Sequence, residues 1–148
     1  GTGETVGLLK IDFADANTQS QQDANQPVAP SEILELVKNS VRPTDNVIRA
    51  NDTSAVVILP GLSYDVLSRI AARIQALINE RLDLIDGDAS SPLVGGVIVM
   101  PEGRKPSKSD KVLKVLEESA SQAEKLSATR VAFQLLLGKK AKQLAPLG

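Results

Sequence analysis

The sequence has no cysteine, no histidine and no tryptophan, and aromatic residues make up only 2% of its 148 residues. Without cysteine, disulfides, thiolate metal sites and cysteine nucleophiles are excluded. Without histidine, the side chain most often used for proton transfer near neutral pH is missing. Histidine-containing zinc centres go with it. A formal net charge of −1 argues against a general binder of nucleic acid or anionic membranes. No apolar run approaches the roughly 18 residues of a membrane span. No signal peptide is visible, and Gly1-Thr2-Gly3 reads as an expression remnant that replaces the native N-terminus.

Apolar residues make up 42% of the chain, enough for one domain with an aliphatic core of Leu, Ile, Val and Ala. Residues 6–13 read as a strand interrupted by Lys10. Residues 14–27 are rich in Asn, Gln, Asp and Ser and read as a long polar loop. Ser31 is the expected cap of a helix carrying Ile33, Leu34, Leu36, Val37 and Val41, ended by Pro43. Residues 47–49 and 55–59 form a hairpin around Asn51-Asp52. Ser63 or Asp65 opens the clearest helix, with Val66, Ile70, Ile74, Leu77 and Ile78 on one face. Residues 93–100 form a strand, in which Gly95-Gly96 permits a bulge or close packing. Ser109 caps a helix with Val112, Leu113, Val115, Leu116 and Ala120 inward. Residues 129–137 are the last strand. The expected fold is α/β, a five-stranded sheet flanked by helices. Residues 1–137 form the domain and 138–148 a tail or linker.

The segment 42–60, RPTDNVIRANDTSAVVILP, is the most telling. Arg42-Pro43-Thr44-Asp45 is an R-x-x-D motif. Asn46 to Ala50 separate it from the turn Asn51-Asp52-Thr53-Ser54-Ala55, and an apolar strand ending in Pro60 follows. This arrangement resembles the centre of a GGDEF (diguanylate cyclase) domain with its signature rewritten. The resemblance spans residues 6–133 and is weak outside the centre. It implies a fold like the palm of nucleotide cyclases and a bacterial, cytoplasmic setting.

The resemblance also implies where catalysis would need charge. A cyclase holds divalent metal with carboxylates to neutralise phosphate. The first metal carboxylate of the family falls on Lys10, of which only the neighbouring Asp12 remains acidic. The second falls on Thr53, and the next acidic position on Ser54. The signature glycines are Asn51 and Asp52. The family's phosphate-binding cations fall on Glu124 and Ala128, with Lys125 and Arg130 displaced. No catalytic residue, metal or cofactor is therefore expected, and no diguanylate cyclase activity.

In family members with product inhibition, R-x-x-D binds cyclic di-GMP. An Arg fork can donate to guanine O6 and N7, and an Asp can accept from N1–H and N2–H₂. The resemblance carries this role to Arg42 and Asp45. It adds Arg73 from the following helix, with Arg69 one turn earlier to assist. The motif alone is weak evidence, because Arg49-Ala50-Asn51-Asp52 is a second R-x-x-D in the same chain. A local surface ion pair is the simpler alternative for Arg42 and Asp45, and an ordinary polar helix face for Arg73.

The leading expectation is an inactive GGDEF-like receptor for cyclic di-GMP. It would work with other domains of a larger protein or a signalling partner, and as a homodimer in one arrangement. The alternative is a nucleotide-independent interaction or dimerisation module. A third reading has GTP at the rewritten site, with Lys10 meeting phosphate in place of metal. The basic residues 104–108 and Lys139, Lys140 and Lys142 read as solvated. Asp83, Asp86 and Asp88 lack the pattern of a calcium loop.

Overall fold

The computed structural model describes residues 5–22, 28–84, 89–100, 108–126 and 128–144. The elements run β1 (Val6–Asp12), α1 (Ala14–Gln22), α2 (Pro30–Asn39), β2 (Asn46–Asn51), β3 (Ser54–Pro60), α3 (Tyr64–Arg81), β4 (Leu93–Met100), α4 (Ser109–Leu126), β5 (Val131–Leu137) and β6 (Lys140–Leu144). They form an α/β fold with one six-stranded sheet in the order β2-β3-β1-β4-β5-β6. All strand pairs are antiparallel except β4 and β5, which are parallel and joined through α4.

Alternation along the strands divides the core into two layers. On one face, Leu9, Ile11, Val57, Leu59 and Phe133 pack with Ile33 and Val37 of α2 and with Leu67, Ala71, Ile74 and Ile78 of α3. On the other, Leu8, Val97 and Leu136 pack under Val115 and Leu116 of α4. The two glycines of β4 make both layers close. A Cβ on Gly95 would stand 2.3 Å from the Ala120 nitrogen of α4, and one on Gly96 2.4 Å from the Phe133 ring. Close packing, and not a bulge, is therefore their role. Tyr64 meets Phe133 edge-on, with ring centroids 5.2 Å apart.

Several sequence expectations are corrected. The sheet has a sixth strand, not five in all, because Lys140–Leu144 folds back on β5. Residues placed in the tail thus close one edge of the sheet. Ala14–Gln22 is a helix where a polar loop was expected; the Asp12 carboxylate accepts the Ala14 N–H at 3.0 Å and starts it. Helix α2 begins at Pro30, with Ala29 as its N-cap in place of Ser31, and ends at Asn39, before Pro43. Val66 and Leu113, expected inward, are 37% and 50% exposed. Leu67 takes the inward place on α3. Ser63 does cap α3, accepting the Val66 N–H. The run 104–108 lies outside the described residues except for exposed Lys108, as do Asp86 and Asp88.

Candidate functional site

The chain leaves α2 through Ser40, whose hydroxyl donates to the Leu36 carbonyl at 2.6 Å. The next turn is built by the R-x-x-D residues themselves. Asp45 Oδ2 accepts the Arg42 backbone N–H at 2.8 Å, and the Asp45 N–H donates to the Arg42 carbonyl at 2.9 Å. The Arg42 side chain then closes on the same carboxylate, through Nε at 3.1 and 3.2 Å and Nη2 at 2.8 Å. Nη2 also reaches the Pro60 carbonyl at 3.0 Å, tying the turn to the end of β3. The Asp45 side chain is 0% exposed and the Arg42 side chain 47%. The carboxylate pushes the guanidinium further above its ordinary pKa, chiefly through the hydrogen bonds.

Around this turn lies an open cleft of about 450 Å³, lined by Lys38 and Asn39 from α2, Arg42 and Asp45 from the turn, and Asn46 and Val47 from β2. Its volume falls in the range of small-molecule sites. The half-exposed Arg42 and Lys38 give it cationic donors, and the amides of Asn39 and Asn46 can both donate and accept. Asp45 has a different place. Both of its oxygens are engaged and its side chain is covered, so a guanine edge reaches it only after Arg42 moves. In this geometry Asp45 holds Arg42 in position. Lys38, Asn39 and Asn46 were not singled out in the sequence; their signal was proximity to the motif at the end of an amphipathic helix.

Arg69 and Arg73 do not line this cleft. Both are exposed on α3. Arg69 pairs with Asp65 at 2.9 Å. Arg73 has no ion pair or hydrogen bond among the described residues.

The rewritten turn lies at the opposite end of β3. Asn51 Oδ1 accepts the Thr53 N–H at 2.9 Å, and the Thr53 carbonyl accepts the Phe13 N–H at 2.8 Å. Arg49 bridges to Asp52 at 3.2 Å. Asp12 stands opposite Ser54 in the β1–β3 register, and Lys10 stands between Val56 and Gly95. Asp12 Oδ1 accepts the Ala14 N–H at the start of α1. Among the described residues no group of three or more acidic, His or Cys side chains is placed to hold a metal ion. One capping carboxylate, a lysine and a threonine do not suit the metal-carboxylate site of a cyclase. The side chain of Arg130, expected from the resemblance to be a displaced phosphate cation, is 13% exposed. Its Nε donates to the Ser91 carbonyl at 2.8 Å and its Nη2 meets Asp15 at 3.1 Å.

No protein-family model matches the sequence, and no curated protein does. Solved structures do match. The GGDEF domain of DgcB from Caulobacter crescentus, in complex with c-di-GMP, superposes with a TM-score of 0.62 at 12% identity over 93% of this chain and 80% of that one. The active GGEEF domain of a diguanylate cyclase from Vibrio cholerae gives 0.63 at 10% identity, over 93% and 85%. The fold is that of a GGDEF domain. Vibrio cholerae LapD, S helix-GGDEF-EAL bound to c-di-GMP, gives 0.64 at 14% identity. There the match takes in 97% of this chain but 32% of LapD, so the GGDEF fold here equals about a third of that protein. Among the described residues no helix is long and apolar enough to cross a membrane.

Proposed function

We propose that this GGDEF fold is catalytically inactive and serves as a receptor for cyclic di-GMP, docking the nucleotide in the cleft beside Arg42. The observation that carries the reading is the pairing of two features on one sheet. A half-exposed arginine, oriented by Asp45, stands in an open cleft of about 450 Å³, while Lys10 and Thr53 occupy the positions where the resemblance to GGDEF domains would put metal carboxylates. Two of the similar structures hold c-di-GMP.

Asp45 fixes the plane of Arg42. With Nε and Nη2 taken by Asp45 and Pro60, Nη1 is the guanidinium nitrogen left to donate to a guanine acceptor, O6 or N7, with Lys38 near enough along α2 to meet phosphate. Arg73, exposed and with no ion pair among the described residues, is available to a second base of the ligand or to a second ligand molecule. Arg69 assists once it leaves Asp65, an exposed pair of little worth. The setting is a bacterial cytoplasm, and the nucleotide signal passes to another domain or a signalling partner.

Calorimetric titration of cyclic di-GMP tests this with variants that spare the fold. Micromolar or tighter binding is expected, weakened about tenfold in Arg42→Lys, which keeps the charge and loses the fork. Arg73→Ala is expected to weaken it without changing stability. With GTP and Mg²⁺ or Mn²⁺, no cyclic di-GMP forms above the no-protein control. An absence of binding heat at millimolar ligand would end the receptor reading, and turnover of GTP would end the inactive one.

A further inference from the structure

The sheet has two edges, β2 and β6, and the chain treats them differently. Strand β6 carries Lys140 and Lys142, with Lys139 just before it. Lysines along an edge strand discourage pairing with another chain. Strand β2 has neither lysine nor proline, and Ile48 at its centre is 51% exposed. Ile48 stands beside Val56 across the β2–β3 ladder, and Ile58 is one step along the same face. Helix α4 packs on β4, β5 and β1, so these three aliphatic side chains extend the apolar face beyond its cover.

We propose that β2 is a homodimer edge, pairing antiparallel with β2 of a second copy about a two-fold axis through Ile48. The strand is self-complementary in that register. Ile48 meets the partner's Ile48, Asn46 faces the partner's Ala50, and Val47 faces the partner's Arg49. Arg49 is the only charged residue of β2, so no like charges meet. The irregularity between Arg49 and Asn51 ends the paired stretch. The axis runs through the sheet plane, so each face continues across the joint and the aliphatic strips of the two copies merge.

The pairing also completes the cleft. Asn46 and Val47 line the Arg42 cleft, and the partner's Arg49 lies directly opposite Val47 on that same face. Arg49 is held by local, exposed contacts, a pair with Asp52 at 48% and 95% side-chain exposure and an Nε bond to the Asn51 carbonyl at 3.2 Å, and the exposed pair is worth little. Each cleft then receives one arginine from its own chain and one from the partner. This last step rests on the receptor reading; the dimer edge does not.

Sedimentation of the wild-type chain without nucleotide tests the edge. A dimer is expected at tens of micromolar, and for Ile48→Lys a monomer whose thermal midpoint matches that of the wild type diluted below its dissociation constant. The chain lacks cysteine, so Ile48→Cys introduces a single thiol, with the paired Cα atoms within about 5.5 Å across the axis. Mild oxidation is expected to link it into a covalent dimer, while Lys142→Cys on the opposite edge stays monomeric. A monomer mass for the wild type at several hundred micromolar, or equal linking of both thiols, would overturn the proposal. Arg49→Ala is expected to keep the dimer mass and weaken cyclic di-GMP binding about tenfold. Wild-type affinity in that variant would remove the shared cleft. Should the wild type take up no dinucleotide, the receptor reading fails, and sedimentation and linking still decide the edge.

Discussion

Arg42 meets one carboxylate through its backbone N–H and two guanidinium nitrogens, and spans to the Pro60 carbonyl besides. Such charge-assisted, forked contacts are stronger than neutral ones. Removing the side chain leaves the covered Asp45 with one remaining donor. Arg42→Ala is therefore expected to lower the stability of the fold, because it leaves a covered carboxylate short of donors. Urea unfolding measures it; an unchanged midpoint would mean the turn is held by the backbone alone. Arg42→Ala thus changes stability as well as ligand contact, and Arg42→Lys is the cleaner binding variant. The motif was legible in the sequence, but the roles within it were not. Four-residue spacing cannot tell an acceptor facing a ligand from one folded back on its own arginine. That difference lies in Asp45 being covered, a tertiary fact.

Elements were legible where pattern and cap agree. Helix α3 shows both: Ser63 caps it, and Ile74 and Ile78 mark its inner face. The inward face was nonetheless misjudged at Val66, because the sheet contact runs through Leu67 and Ala71. Helix α1 was hidden because its sequence, ADANTQSQQ, has no apolar period; the Asp12 cap was the available sign. Strand β6 was hidden because KAKQL carries lysines suited to an edge and resembles a tail. The glycine pair in β4 left a bulge or close packing open, and the structure decides for close packing. Gly95→Ala would drive a methyl into the α4 backbone, and a loss of about 3 kcal/mol or failure to fold is expected. Tyr64 gives α3 a pH dependence. Burial pushes its phenol pKa up, so the folded state holds the proton more tightly than the unfolded chain does. Its contribution is complete below the ordinary value near pH 10 and falls as pH rises past it. Tyr64→Phe is expected to flatten the alkaline limb of a stability profile; an unchanged limb would place the titration elsewhere.

At the scale of the whole molecule, one sheet presents two ends with different chemistry. At one, Asp12 accepts the Ala14 N–H at the start of α1, and Lys10 and Thr53 stand where the proposed reading expects metal carboxylates to have been lost. At the other, Arg42 is held open beside a cleft. The proposed function requires that the second end bind nucleotide and the first not. Backbone amide NMR of the isotope-labelled wild-type chain, titrated with cyclic di-GMP, tests this without any substitution. Saturable shifts are expected at Lys38, Asn39, Arg42, Asn46 and Val47, with further shifts on α3 near Arg73. Shifts centred on Lys10, Asp12 and residues 51–54, or none at millimolar ligand, would contradict it.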